Sequence, residues 1–189
     1  MRKFAIGNHA LRILLGTVSL VLIAGAMFGP IYAIFVEEIG GSLFDASFAA
    51  GLFALTAAIT TVIAGTYIDN IRENKQVLVF GYIITGIGFL GYTHISSVFG
   101  LFMVEMILGV GEAVSWPAFD ALYSRHLDKH KEGSEWAAYE AMAYLVGFFG
   151  AMTGGLVVTF FTFGTLFSLM AVLCFMSAAY LLFLPRNVL

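Results

Sequence analysis

Glu105 and Glu112 stand seven residues apart in a stretch, 98–118, that is otherwise almost wholly apolar. Seven residues make two helical turns, so in a helix both carboxyls share one face, about 10 Å apart along the axis. No Lys or Arg occurs within any long apolar stretch to neutralise them. An ionisable side chain at the centre of a membrane helix is costly, about 2.5–3.5 kcal/mol for Asp, so each carboxyl is either protonated or open to water. Two readings are open. One is a protonated carboxyl donating to a neighbouring helix; the other is a pore-facing group that binds a proton or a cation. Two such residues on one stripe favour the second. Glu112 lies about 21 Å from the start of its stretch at 1.5 Å per residue, and Gly111 beside it leaves room for a solute. Glu140 reads as an interface pairing. Asp120 with Arg125 reads either as an ion link closing one face of the bundle or as an ordinary helix-end pair.

Other chemistry is absent. The one cysteine, Cys174, sits among apolar residues and reads as packing. His9, His94, His126 and His130 offer one close pair and no H-E-x-x-H arrangement. Neither a nucleophile–base pair nor a Gly-rich phosphate loop is present, so no enzyme activity, metal or cofactor is expected. A net charge of −3 without a basic tract excludes nucleic acid as a partner.

The elements that would position these carboxylates follow from composition. Hydrophobic residues make up 60% and charged residues 11% of the 189-residue chain, against roughly 45–50% and 25% in soluble domains. The first partner is the lipid bilayer. Six stretches reach the roughly 17–25 residues a crossing helix needs: 13–36, 46–68, 77–93, 98–118, 136–160 and 164–184. They form a single domain over 1–189. The runs are continuous rather than alternating, which excludes a β-barrel. The first is too long for a signal peptide, whose apolar core is about 7–15 residues. All nine basic residues fall on one side of this six-span scheme. By the positive-inside rule both termini are then cytoplasmic, in a multi-pass protein of the cell's inner (plasma) membrane. Trp116 and Trp136 are expected at cytoplasmic helix ends, and 124–135 as a solvated linker.

Six spans divide into two triplets of opposite topology, the plan of inverted-repeat transporters. Pro30 and Pro117 fall toward the ends of the first and fourth spans, equivalent helices of the two triplets. Gly25 and Gly29 in the first span, and Gly147, Gly150, Gly154 and Gly155 in the fifth, are expected to let helix backbones approach closely.

Three motifs carry a resemblance. Between the second and third spans, Gly65, Asp69, Arg72 and Lys75 resemble the G-x-x-x-D-R/K-x-G-R/K-R/K signature of the major facilitator superfamily, with Asn70 in the first basic place and Arg72 in the glycine place. Physically, a carboxylate at a helix end beside basic residues makes a charge latch. In the fourth span, Leu101, Glu105, Gly109, Gly111 and Ala113 are similar to the family's L-x-x-x-R-x-x-x-G-x-G-x-A, with glutamate for arginine. In the fifth, Gly150, Gly154 and Gly155 resemble its G-P-x-x-G-G motif without the proline.

The resemblance implies an all-α membrane fold of six helices in two inverted three-helix repeats, one half of the usual twelve-span transporter. It implies transport of a small solute by alternating access, with two copies forming a homodimer; the carboxylates Glu105 and Glu112 themselves suit proton coupling or substrate binding. Gating and helix packing would rest on Gly65, Asp69, Arg72, Gly150, Gly154, Gly155, Asp120 and Arg125. The rival readings are a non-transporting scaffold or accessory subunit and one half of a heteromeric transporter.

Overall fold

A bilayer core holds no water to bond free backbone groups, so an apolar run must close its hydrogen bonds within itself, and a helix does so. The computed structural model describes residues 8–68, 74–185 and 188–189, and the runs are helical throughout. They form α1 (His9–Phe28), a 3-10 turn (Gly29–Ile31), α2 (Tyr32–Glu38), α3 (Leu43–Ile68), α4 (Asn74–Tyr92), α5 (Val98–Arg125), α6 (Glu132–Phe160) and α7 (Phe163–Phe183). α1, the turn and α2 together make one 30-residue span, and six spans among the described residues are long and apolar enough to cross a membrane.

Polar side chains set the helix starts. Asn8 Oδ1 accepts from the Ala10 amide at 3.0 Å, Ser97 Oγ from Gly100 at 3.3 Å and Thr162 Oγ1 from Thr165 at 3.2 Å. Ser42 and Asp45 cap reciprocally. The Ser42 amide donates to Asp45 Oδ2 at 2.8 Å, and the Asp45 amide donates to Ser42 Oγ at 3.2 Å, the box arrangement that satisfies two free donors at once.

The two prolines behave differently. Pro30, next to flexible Gly29, ends α1 and forces the 3-10 turn, as a residue without an amide hydrogen does. Pro117 lies inside α5, which runs on unbroken to Arg125, held by the fully buried Ala118 and Phe119. The paired prolines are therefore not a shared break.

Helix contacts follow a regular pattern. α4 packs on α5 and α7, α3 on α5, and α1 on α6 and α7. Exchanging the triplets (α1/α2 for α5, α3 for α6, α4 for α7) turns α4–α5 into α7–α1 and α3–α5 into α6–α1, and leaves α4–α7 as it is. Two inverted triplets would pack in this way. α4 and α5 form an antiparallel hairpin in tight register. A Cβ at Gly81 would meet Ser115, one at Gly111 would meet Thr85, one at Gly88 would meet Leu108 and one at Gly91 would meet Val104.

The core has two layers. Toward the end bearing the termini, Leu11, Leu14, Leu78, Phe119, Tyr123 and Leu181 pack together. Toward the opposite end, Phe28, Phe35, Tyr92, Phe163 and Phe167 interlock with ring centroids 4.8–6.5 Å apart. Cys174 is fully buried in that second layer. Between α1 and α7, Ser177 Oγ donates to the Thr17 carbonyl at 2.8 Å.

The charged stretch 124–135 is solvent-exposed over most of its length, as expected of a solvated linker, but both its ends are helical and Glu135 is withdrawn from water. α5 continues seven residues past the apolar stretch ending at Ala118, and α6 starts at Glu132. Glu135 is buried, its Oε2 accepting from the Asp128 amide at 2.8 Å, while the Tyr123 hydroxyl donates to the Glu135 carbonyl at 2.6 Å. These bonds replace water at Glu135.

Candidate functional site

A cavity of about 380 Å³ lies between the two core layers. Each wall is one helical face. Val18, Val21, Leu22 and Gly25 follow i, i+3, i+4, i+7 spacing on α1, as do Glu112, Ser115, Trp116 and Phe119 on α5. Tyr82, Thr85 and Phe89 of α4 and Ala143 and Gly147 of α6 complete it. The lining is apolar and aromatic apart from Glu112, three hydroxyls and the Trp116 indole.

Glu105 and Glu112 share a face of α5 but not an environment. Glu112 is exposed and lines the cavity. Glu105 is only 5% exposed, and its Oε1 accepts a 2.7 Å hydrogen bond from the Tyr92 hydroxyl. It lies at the level where the aromatic layer fills the bundle, so it faces protein where Glu112 faces space.

The remaining residues divide. Gly150 and Gly154 are contact glycines against α1: an added Cβ at Gly150 would lie 2.7 Å from Ala26 Cβ, and one at Gly154 would overlap the Met27 carbonyl oxygen. Gly25, Gly29, Gly65, Gly147 and Gly155 have nothing within 4 Å of such a carbon, so close packing does not explain them; Gly25 and Gly147 leave cavity space instead. In the fourth span Gly109 packs against α3 at Phe53 and Gly111 against α4, with Leu101 and Ala113 buried. That motif is a two-sided packing face.

Asp120 and Arg125 are both exposed and do not pair. Five residues at about 100° each turn their side chains roughly 140° apart around α5. Glu140 is also exposed and forms no ion pair among the described residues. Trp116 is not at a helix end; it lies nine residues before Arg125, in the cavity wall. Trp136 packs on Tyr123 near the end that bears the termini. Asp69 and Arg72 lie outside the described residues. Their neighbour Lys75 donates from Nζ to the Leu184 carbonyl at 2.7 Å, tying the start of α4 to the end of α7.

Sequence reasoning missed Tyr82 and Tyr92. The hairpin register carries the signal for Tyr92. Each step up α4 is matched by one down α5, and Tyr92 opposite Glu105 continues the series Gly81–Ser115, Thr85–Gly111, Gly88–Leu108.

Six spans among the described residues, an apolar cavity with a single carboxylate and glycine-mediated helix contacts define a multi-pass membrane protein. The sequence matches the Major Facilitator Superfamily over residues 14–188. The chain belongs to that superfamily of membrane transporters, and its six spans give it the form of a half-length member. It is 25% identical over 154 residues to the uncharacterized MFS-type transporter YitZ of Bacillus subtilis (strain 168), a match covering 82% of this chain and 93% of that one.

Proposed function

We propose that the protein is a proton-coupled carrier of a small solute, working by alternating access as a homodimer, with Glu112 as the coupling group. The observation carrying this reading is the exposed Glu112 in the cavity wall. In an isolated bundle that carboxylate stands open at the surface, which desolvation disfavours. A second copy, related by an axis along the membrane normal, covers it and recreates the parallel halves of a twelve-span relative. α1 and α5 flank the cavity and touch each other only sparsely, so the two bundles can rock about it. Glu112 and Tyr82 are the titratable groups of the lining. A carboxyl protonated when facing one side and ionised when facing the other has the differential affinity that coupling requires. Glu105, bonded to Tyr92, supports the helix rather than the proton. Asp69 and Arg72, with Gly65, belong to the proposed cytoplasmic latch. Both termini are cytoplasmic and the membrane is the inner (plasma) membrane.

The test is uptake in proteoliposomes under a pH gradient, screened over neutral and cationic solutes. Glu112→Gln keeps shape and hydrogen bonding but cannot titrate. It is expected to abolish pH-driven accumulation while solute exchange at saturating concentration persists. Accumulation with the parent's pH dependence would overturn the assignment.

A further inference from the structure

The cavity's polar groups are unequal in what they offer. Thr85 Oγ1 donates its hydrogen to the Gly81 carbonyl at 3.0 Å. Ser115 Oγ donates to the Gly111 and Glu112 carbonyls at 3.0 and 3.1 Å. Both hydroxyls thus have their hydrogens committed to helix backbone and can only accept from a ligand. Glu112, when ionised, accepts only. No Lys, Arg or His lines the space. The site is rich in acceptors, carries a negative charge and has no cationic side chain to satisfy it.

Tyr82 sharpens the point. It is 2% exposed and lines the cavity, yet its hydroxyl has no hydrogen-bond partner. A buried polar atom left unbonded is costly, and Tyr82 is the lining residue that carries such an atom. The hairpin register sets its depth: Gly81 abuts Ser115, and Thr85 abuts Gly111. Tyr82 therefore stands at the level of Glu112 and Ser115. One ligand group at that level has the carboxylate and the hydroxyls around it.

The rest of the lining is Val18, Val21, Leu22, Phe89 and Phe119, with the Trp116 ring. This surface takes an apolar body, and ring faces attract a cation. A volume of about 380 Å³ is near the lower end of ligand pockets, roughly 300–1,000 Å³. A group with several N–H donors, no acceptor and a positive charge answers the carboxylate and the hydroxyl acceptors at once, and an ammonium is that group.

We propose that the cavity binds a small protonated amine carried on an apolar or aromatic body, its N–H donors shared between Glu112 and the hydroxyls of Tyr82, Thr85 and Ser115. This names the solute class of the carrier proposed above and rests on that reading for transport, though not for binding. An anionic solute meets only repulsion here. A neutral one leaves the carboxylate unanswered.

The experiment is equilibrium binding to the full chain in nanodiscs, without a gradient, using radiolabelled 2-phenylethylammonium. 2-Phenylethanol, similar in size and shape but uncharged at physiological pH, is the comparison. The amine is expected to bind saturably, and the alcohol about tenfold or more weakly, the scale of a hydrogen bond to a charged group. Glu112→Gln is expected to weaken the amine about tenfold and leave the alcohol unchanged. Tyr82→Phe is expected to weaken the amine about threefold, the scale of a neutral hydrogen bond. Its fold is secure, because the lost hydroxyl has no partner within the protein. Equal binding of amine and alcohol, no saturable binding of the amine, or an unchanged amine affinity in both variants overturns the proposal. The two readings fail separately. A chain that binds the amine but does not accumulate it in pH-gradient proteoliposomes keeps this site and loses the carrier. A chain that accumulates only neutral solutes keeps the carrier and loses this site.

Discussion

Gly154 and Gly155 are neighbours with opposite surroundings, and methylating each in turn tests the helix packing directly. At Gly154 a new Cβ would overlap the Met27 carbonyl oxygen and lie 2.6 Å from its carbonyl carbon, so α6 and α1 must part to admit it. The obstacle is backbone, which cannot rotate aside. Overpacking costs about 1–3 kcal/mol and sometimes more, and a backbone clash belongs at the upper end. Replacing helical glycine with alanine returns up to about 1 kcal/mol, so Gly154→Ala should lose about 2 kcal/mol. Gly155→Ala meets nothing within 4 Å and should be neutral or slightly stabilising. For a chain of this size 1 kcal/mol moves the melting temperature by about 2–4 °C, so Gly154→Ala should melt about 4–8 °C below the parent. Cys174, the one cysteine and fully buried, is the reporter: a maleimide dye that fluoresces on reaction marks its exposure on heating. If the two variants melt within about 2 °C of each other, α1 and α6 are not in backbone contact at Met27, and the packing described for the fifth span is wrong.

Three further outcomes are expected. Tyr92→Phe removes the donor to buried Glu105 and should lower stability by about 1–3 kcal/mol, with Glu105→Gln milder and neither altering the pH dependence of accumulation; a shifted pH dependence would make Glu105 a coupling group. Tags at Met1 and Leu189 should resist protease added outside intact cells, and cleavage of either would reverse the proposed orientation. Mass measurement in nanodiscs should find two copies, and a monomer that still transports would refute the homodimer.

The helices were legible because the membrane imposes one rule, a long apolar run, and each run obeys it. Pro30 and Pro117 show where that rule stops. Chemically they are alike, but whether a proline breaks a helix depends on the stiffness and burial of its neighbours. Glu105 and Glu112 show the same for the site. Helical periodicity put them on one face, correctly, but it cannot say what stands opposite each. Tyr92 and the aromatic layer meet the first; empty space meets the second. Charge rightly signalled water for most of 124–135, but not for Glu135, which is buried and accepts from the Asp128 amide while Tyr123 donates to its carbonyl. Such partners are set by the meeting of two helix ends, and composition does not record them.

Both ends of the cavity are closed by packed rings, but the rings belong to different helices. Toward the termini, Phe119, Tyr123, Trp136 and Tyr139, all on α5 and α6, stand with neighbouring centroids 4.8–5.8 Å apart, and Asn8 Nδ2 donates to the His126 carbonyl at 2.6 Å. Toward the other end, Phe28 alone meets five rings, those of Tyr32, Phe35, Tyr92, Phe163 and Phe167. Ring pairs contribute about 0.5–1.5 kcal/mol each beyond their buried area. Those around Phe28 come from α1, α2, α4 and α7, so opening that end has to part rings of four helices at once.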